Sequence, residues 1–328
     1  MNKVLIVIPC LNEEAHLEGL VEQLVYTTQH LNRQIVIAEG GSTDKTLSIA
    51  RALAKKYPFV NYIHNVNKIQ SAGVNLAVKT YGQDCDYFIR IDAHSGYPEN
   101  FCDILLQEAS THHAQSVVVS MNTVGKSGFQ KAIAAAQNSK LGNGGSAHRS
   151  ADGNGKWVDH GHHALMDRRA FESVGGYDEQ FSHNEDAELD LRLTQAGHKI
   201  WMTAQTEITY YPRSTIQGLY RQYFKFGHGR ARTIFKHKVK PRARQMIPLV
   251  IAPAAVLFIL GLVTNKLLML PLLAWAFICF IYGLLLARQQ KDTQIISSGL
   301  AIMVMHLAWS CGFWLYIWEY FTQGKKQE

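Results

Sequence analysis

Asp92 and His94 stand two residues apart in "RIDAHSGYP" (90–98), directly after an apolar run of Tyr87, Phe88, Ile89 and Ile91. A turn at the end of a strand can aim both at one ligand. An acid and an imidazole, completed by phosphate oxygens and water, suit Mg2+ or Mn2+. Glu39 closes a second apolar run and is followed by Gly40-Gly41 and "STDKT" (42–46). Neither a GK[ST] nor a GxGxxG pattern follows, so a base or ribose held by an acidic acceptor fits better than a bare phosphate grip. "PCLNEE" (9–14) reads as a strand stop at Pro9 with Asn12, Glu13 and Glu14 opening a helix. Glu185, Asp186, Glu188 and Asp190 are four acids in six residues, one of which could accept a proton from an attacking hydroxyl. "RQYFKFGHGRAR" (221–232), with Gln222, Lys225 and Arg230, alternates aromatic and basic residues and could clamp a phosphate-bearing lipid or nucleotide. Each cluster also has a plain structural reading: helix caps, a capped turn, a solvated helix start, or an interfacial helix with snorkelling arginines.

The elements that would position these residues alternate. Strand patterns cover 3–10, 34–41, 61–64 and 85–92, and helical patterns 13–30, 42–57 and 70–81. A short helix near 168 ends at Gly175-Gly176, and the acidic cluster opens another. Alternation of this kind predicts right-handed βαβ units, a mostly parallel sheet and helices covering it. Ligands in such sheets sit at the C-terminal strand ends. That rule selects Pro9–Glu14, Glu39–Asp44, Lys68–Gln70 and Asp92–His94, all polar or charged where a plain fold needs only turns.

The charge is concentrated. Residues 221–245 hold nine Lys/Arg and no acid, and 246–328 hold five against three. From totals of 33 basic and 26 acidic residues, this leaves 1–220 with 19 against 23. A basic collar beside an apolar region points to a membrane surface, and no nucleic acid is expected as partner. Segments 246–264, 267–287 and 294–318 lack Asp, Glu, Lys and Arg and suffice to cross a bilayer. The collar and "RQQK" (288–291) place the cytosolic side by the positive-inside rule. The five cysteines form no CxxC pair, and no signal-peptide pattern opens the sequence. The expected plan is a cytoplasmic catalytic domain over 1–220, an interfacial segment over 221–245 and a multi-pass membrane region over 246–320.

The series "IPCLNEE", "AEGGSTDKT", "NKIQSAGVNLAVK", "RIDAHSGYP" and "NEDAELDLRL" resembles the family 2 glycosyltransferases, and within them the bacterial exopolysaccharide glucosyltransferases of the succinoglycan type. The match spans about residues 3–232 and rests on the order of five motifs. The resemblance implies the GT-A fold, a UDP-sugar donor and an inverting transfer at the bacterial inner (plasma) membrane. It implies donor contacts from Pro9, Asn12, Glu14, Glu39, Ser42, Asp44, Gln70 and Asp92. Glu39 stands at the uracil-contacting acid, where Asp is commoner. Asp92 and His94 stand on the metal-binding Asp-x-Asp motif, with His in the last place. Asp186 matches the proposed base, preceded by Glu185. Gln222 and Lys225 match Gln-x-x-Arg-Trp only in part, and with Arg230 and Glu185 would hold the acceptor and its diphosphate. The stretch "VDHGHHALMDRR" (158–169) would line the site, with no roles assigned to His160, His162 or His163. The acceptor would be polyprenyl-linked, and other glycan-assembly proteins are possible partners. A processive synthase, a nucleotidyltransferase and a non-catalytic nucleotide-sugar-binding membrane protein are the rival readings. The acids of "PCLNEE" count against the second, and three crossings against a polymer channel.

Overall fold

The computed structural model describes residues 3–144, 153–241 and 243–322, without the side chains of 243 and 244. The end of the basic collar at Arg242 and the Arg244 side chain, and Lys325 and Lys326, lie outside that description. The described residues form two compact units, one within 1–122 and 147–210, the other within 123–146 and 211–328.

The first unit opens with β1 (Val4–Cys10), α1 (Leu17–Thr27), β2 (Arg33–Glu39), α2 (Thr46–Lys56), β3 (Val60–His64), α3 (Gln70–Tyr81), β4 (Tyr87–Arg90), α4 (Phe101–His112) and β5 (Ser116–Thr123). The chain then contributes α5 (Gly128–Gln137) and α6 (Lys140–Asn143) to the second unit. It returns with β6 (Lys156–Val158), β7 (His162–Asp167), α7 (Arg168–Ser173), α8 (Glu185–Gln195) and β8 (Ile200–Tyr210). The eight strands make one sheet in the order β3-β2-β1-β4-β7-β5-β8-β6. The first four are parallel, as the βαβ alternation predicts. β7 then pairs antiparallel with both β4 and β5, and β6 pairs antiparallel with β8.

β1 is apolar throughout because both its faces are covered. Val4, Ile6 and Ile8 pack with α1, α2 and α4, and Leu5 and Val7 with α3, α7 and α8. The strand continues through Pro9, paired with Ala38, to Cys10, so Pro9 does not stop it. The Val7 carbonyl accepts from Ile91 N–H on the β4 side, and Pro9, two residues on, faces that same side. Pairing with β4 ends at Val7–Arg90, so the missing N–H costs no ladder bond. Glu13 and Glu14 precede α1 in a turn and do not open the helix.

The second unit continues with α9 (Ile216–His237), α10 (Ala243–Leu249), α11 (Ile251–Val263), α12 (Leu270–Gln290) and α13 (Ser298–Thr322). Stretches Gln245–Val263, Lys266–Gln290 and Thr293–Thr322 are long and apolar enough to cross a membrane. The basic collar is largely the C-terminal part of α9, which packs backbone to backbone on α13: a Cβ on Gly227 would lie 1.9 Å from the Trp309 carbonyl oxygen, and one on Gly312 1.9 Å from that of Phe224. Residues 123–144, read from sequence as part of the first domain, group with these helices. Lys131 Nζ lies 3.2 Å from Asp292 Oδ2, and His306 Nε2 lies 3.0 Å from the Leu141 carbonyl oxygen.

Candidate active site

The C-terminal ends of β1, β2 and β4 meet where the strand order reverses direction about β1, the place at which open α/β sheets bind ligands. Two loops there are latched to each other. Ser42 Oγ accepts from Asn12 N–H (2.9 Å), and Asn12 Oδ1 accepts from Thr43 N–H (2.8 Å). Asp44 Oδ2 accepts from Glu14 N–H (3.1 Å), and Glu14 Oε2 accepts from Lys45 N–H (2.9 Å). Asn12, at φ 57°, turns the chain sharply enough for this exchange. Four predicted donor contacts thus hold the loops in register through their side chains. Glu39 is fully buried at the end of β2. Burial favours its neutral form, but the Ser42 and Gly41 backbone N–H groups, the Ser42 side chain and His64 outweigh it and hold the carboxyl below its ordinary range.

Asp92 follows β4 and accepts from Gln70 Nε2 (3.2 Å). Its Oδ1 lies 3.6 Å from Arg90 Nε and its Oδ2 3.5 Å from His162 Nε2. Burial opposes its charge, yet Arg90 and then His162 hold it far below the ordinary carboxylate range. His94 Nδ1 pairs with Glu13 Oε1 at 2.8 Å. A metal-ligating imidazole is commonly oriented by a carboxylate on its other nitrogen. Asp92, kept ionised, and His94, oriented through Nδ1, therefore fit a divalent cation that takes its remaining oxygens from phosphate and water. Among the described residues, no cluster of three or more His, Cys, Asp or Glu side chains supplies a fuller cage.

Asp186, on the first turn of α8, meets Arg90 in a fork: Nη1 to Oδ1 at 2.6 Å and Nη2 to Oδ2 at 3.2 Å. Tyr177 donates to the same Oδ1 at 3.2 Å, with His163 Nδ1 3.3 Å away. Burial disfavours the carboxylate, but Arg90 and His163 overcome it and keep Asp186 ionised. Its neighbour Glu185 moves the other way, raised by burial first and the Asp186 charge second. Arg90, 4% exposed, thus ties the Asp92 station to the Asp186 station. Behind Asp186, His163 Nε2 lies 2.7 Å from Asp190 Oδ1. Asp190 Oδ2 takes Gly161 N–H at 3.1 Å and lies 2.9 Å from His160 Nδ1.

Of the predicted site residues, Pro9 through Asp44, Gln70, Asp92, His94, Glu185 and Asp186 belong to this unit. Gln222, Lys225 and Arg230 lie on α9 in the other. The parts that residue spacing did not assign are Arg90, Tyr177, His163 and Asp190. Asp186 and Asp190 do carry a signal, since helical residues four apart share a face. Tyr177 carries none: it is delivered by the left-handed pair Gly175 (φ 82°) and Gly176 (φ 71°). Asn75 of α3 then pins its backbone, N–H to Oδ1 at 2.9 Å and Nδ2 to carbonyl at 2.8 Å.

The family model described as "Glycosyl transferase family 2" matches residues 5–175. The chain belongs to glycosyl transferase family 2. Over 310 residues it is 53% identical to succinoglycan biosynthesis protein ExoA of Rhizobium meliloti strain 1021, covering 94% of this chain and 93% of that one. The dolichyl N-acetyl-alpha-D-glucosaminyl phosphate 3-beta-D-2,3-diacetamido-2,3-dideoxy-beta-D-glucuronosyltransferase of Methanococcus voltae is 27% identical over 251 residues, 72% of this chain and 75% of its own. Among solved structures, the mannosyltransferase PcManGT of Pyrobaculum calidifontis, in complex with GDP-Man and Mn2+, superposes with a TM-score of 0.60 at 15% identity, over 93% of this chain and 87% of its own. This family 2 enzyme is therefore a glycosyltransferase with the GT-A fold, followed by three helices long and apolar enough to span a membrane.

Proposed function

We propose that this glycosyltransferase moves glucose from UDP-glucose to a polyprenyl-diphosphate-linked sugar, inverting the anomeric centre, in succinoglycan-type exopolysaccharide assembly. The catalytic unit works on the cytoplasmic face of the bacterial plasma membrane. The observation that carries the reading is Arg90, which joins two ionised carboxylates, Asp92 and Asp186, at the crevice of the sheet. A single displacement needs a group at each end of the reaction axis, and these two supply them. The strong likeness to a succinoglycan biosynthesis protein supports the pathway class, and the relative named for a dolichyl-linked phosphate sugar supports a lipid-linked acceptor.

Glu39 and the Asn12–Ser42 and Glu14–Asp44 latches shape the nucleotide end, with Pro9 and Gln70 beside them. Asp92 and His94 would hold a divalent metal, Mg2+ or Mn2+, and when bound it supplies positive charge to the diphosphate as that group leaves. Asp186 takes the proton of the acceptor hydroxyl. The hydroxyl oxygen bonds to the anomeric carbon as the bond to the diphosphate oxygen breaks, so UDP departs with the electron pair and an α-linked donor gives a β-glycoside. Glu185, held toward its neutral form, adds no second charge where the acceptor approaches. On α9, Gln222, Lys225 and Arg230 supply polar and cationic groups for the acceptor's diphosphate.

The test is incubation of membranes containing the enzyme with a panel of labelled UDP-sugars and Mg2+ or Mn2+, followed by lipid extraction. Label from UDP-glucose in a polyprenyl fraction, lost on chelation, is expected. Release of soluble sugar alone, or transfer indifferent to chelation, would contradict the reading.

A further inference from the structure

We propose that His163 sets the base strength of Asp186 by deciding where the Tyr177 hydroxyl points its single proton. This rests on the reading of Asp186 as the base.

The Tyr177 oxygen has three polar neighbours within hydrogen-bonding distance: His163 Nδ1 at 2.7 Å, Arg90 Nη1 at 3.1 Å and Asp186 Oδ1 at 3.2 Å. Arg90 can only donate, and a carboxylate can only accept. The imidazole can do either through Nδ1, so its protonation state fixes the rest. His163 Nε2 is committed to Asp190 Oδ1, which only accepts, so Nε2 carries a proton in both states. When Nδ1 is also protonated, it donates to the Tyr177 oxygen, and the Tyr177 O–H is left for Asp186. When Nδ1 is bare, it accepts the Tyr177 O–H, and Asp186 loses that hydrogen bond. It also loses a cation whose ring nitrogen stood 3.3 Å from Oδ1. Both changes make Asp186 a stronger base.

The groups facing His163 are Asp186 and Asp190 from α8, Tyr177 after α7 and Arg90 from β4. Glu185 lies beside Asp186, His160 on the far oxygen of Asp190, and His162 next along β7. Burial pushes the imidazole toward neutrality, but Asp190 and Asp186 outweigh it, and its pKa lies above the ordinary 6.5. The switch therefore lies above the pH at which an unperturbed histidine titrates. His163 is a positioning residue, since no contact with the reacting atoms is needed for this effect.

The experiment is the pH dependence of kcat for sugar transfer by the full-length enzyme in membranes, at saturating donor, acceptor and metal. The native enzyme should lose rate as pH falls through a value above 6.5. In His163→Gln that acid limb should move down by about one pH unit or more, toward the carboxylate range. Asp190→Asn removes the anion that stabilises the imidazolium, so it should move the limb in the same direction, and either variant alone decides the matter. A uniform loss of kcat at every pH, with the limb unmoved, would overturn the proposal. Asp186→Asn separates the two readings. If it keeps full transfer, the assignment of the base fails. If it is inactive and the limb still does not move, only the role of His163 fails.

Discussion

Asp186 takes both hydrogen bonds of the Arg90 fork, while the remaining Arg90 nitrogen lies 3.6 Å from Asp92. A guanidinium can hold two carboxylates in fixed relation because its donors lie in one rigid plane, which an ammonium cannot reproduce. Arg90→Lys should therefore fold, retain the buried charge and lose the geometry, lowering kcat by about 10²-fold. Steady-state kinetics beside a thermal melt would check this, and a variant with native kcat would remove Arg90 from the account. At this scale the sequence was legible where chemistry follows from residue type. Asp92 and His94 stand out because an acid and an imidazole are out of place at an apolar strand's end. Arg90 closes the same apolar strand, but its role is not visible until the partner Asp186, 96 residues away, is known. Tyr177 carries no local signal, and His163, though it lies in the His-rich stretch expected to line the site, gains a role only when the fold brings both to one carboxylate.

The βαβ half of the sheet was readable because each strand pairs with neighbours placed by right-handed crossovers, and its hydrophobic pattern repeats accordingly. Helix α3 spans residues 70–81, the bounds its pattern predicts. The antiparallel half was not readable. β7 inserts between β4 and β5, and nothing local in "HHALMD" specifies partners 43 to 80 residues back, from Val119–His162 to Tyr87–Asp167. The seat of α9 was not readable either. Gly227 lets α9 lie directly on α13, which the basic pattern of the segment does not signal. At that crossing an added methyl group has nowhere to go but into backbone, a case of overpacking that costs about 1–3 kcal/mol or more. Gly312→Ala should lower the unfolding temperature of the detergent-solubilised protein. The matched control is Gly19→Ala in α1, where a Cβ meets nothing within 4 Å, and which should not destabilise. Equal stability of the two variants would show that the α9–α13 contact is not close-packed.

Across the whole chain, function divides by composition: a mildly acidic α/β unit that carries the carboxylates, and a basic, apolar region with three helices long enough to cross a bilayer. The Lys/Arg of the collar and of the 288–291 turn fit the orientation proposed above, with the catalytic unit on the cytoplasmic side. That arrangement suits an enzyme whose donor is water-soluble and whose acceptor stays in lipid. The claim on which all of this depends is that Asp186 drives transfer of a sugar from a nucleotide donor to a lipid. The most direct measurement compares label entering the lipid fraction from UDP-glucose in membranes carrying the native enzyme or Asp186→Asn, at matched protein levels. The account predicts robust labelling by the native enzyme and a loss of about 10²-fold to 10⁴-fold in the variant. Undiminished lipid labelling by Asp186→Asn would contradict it.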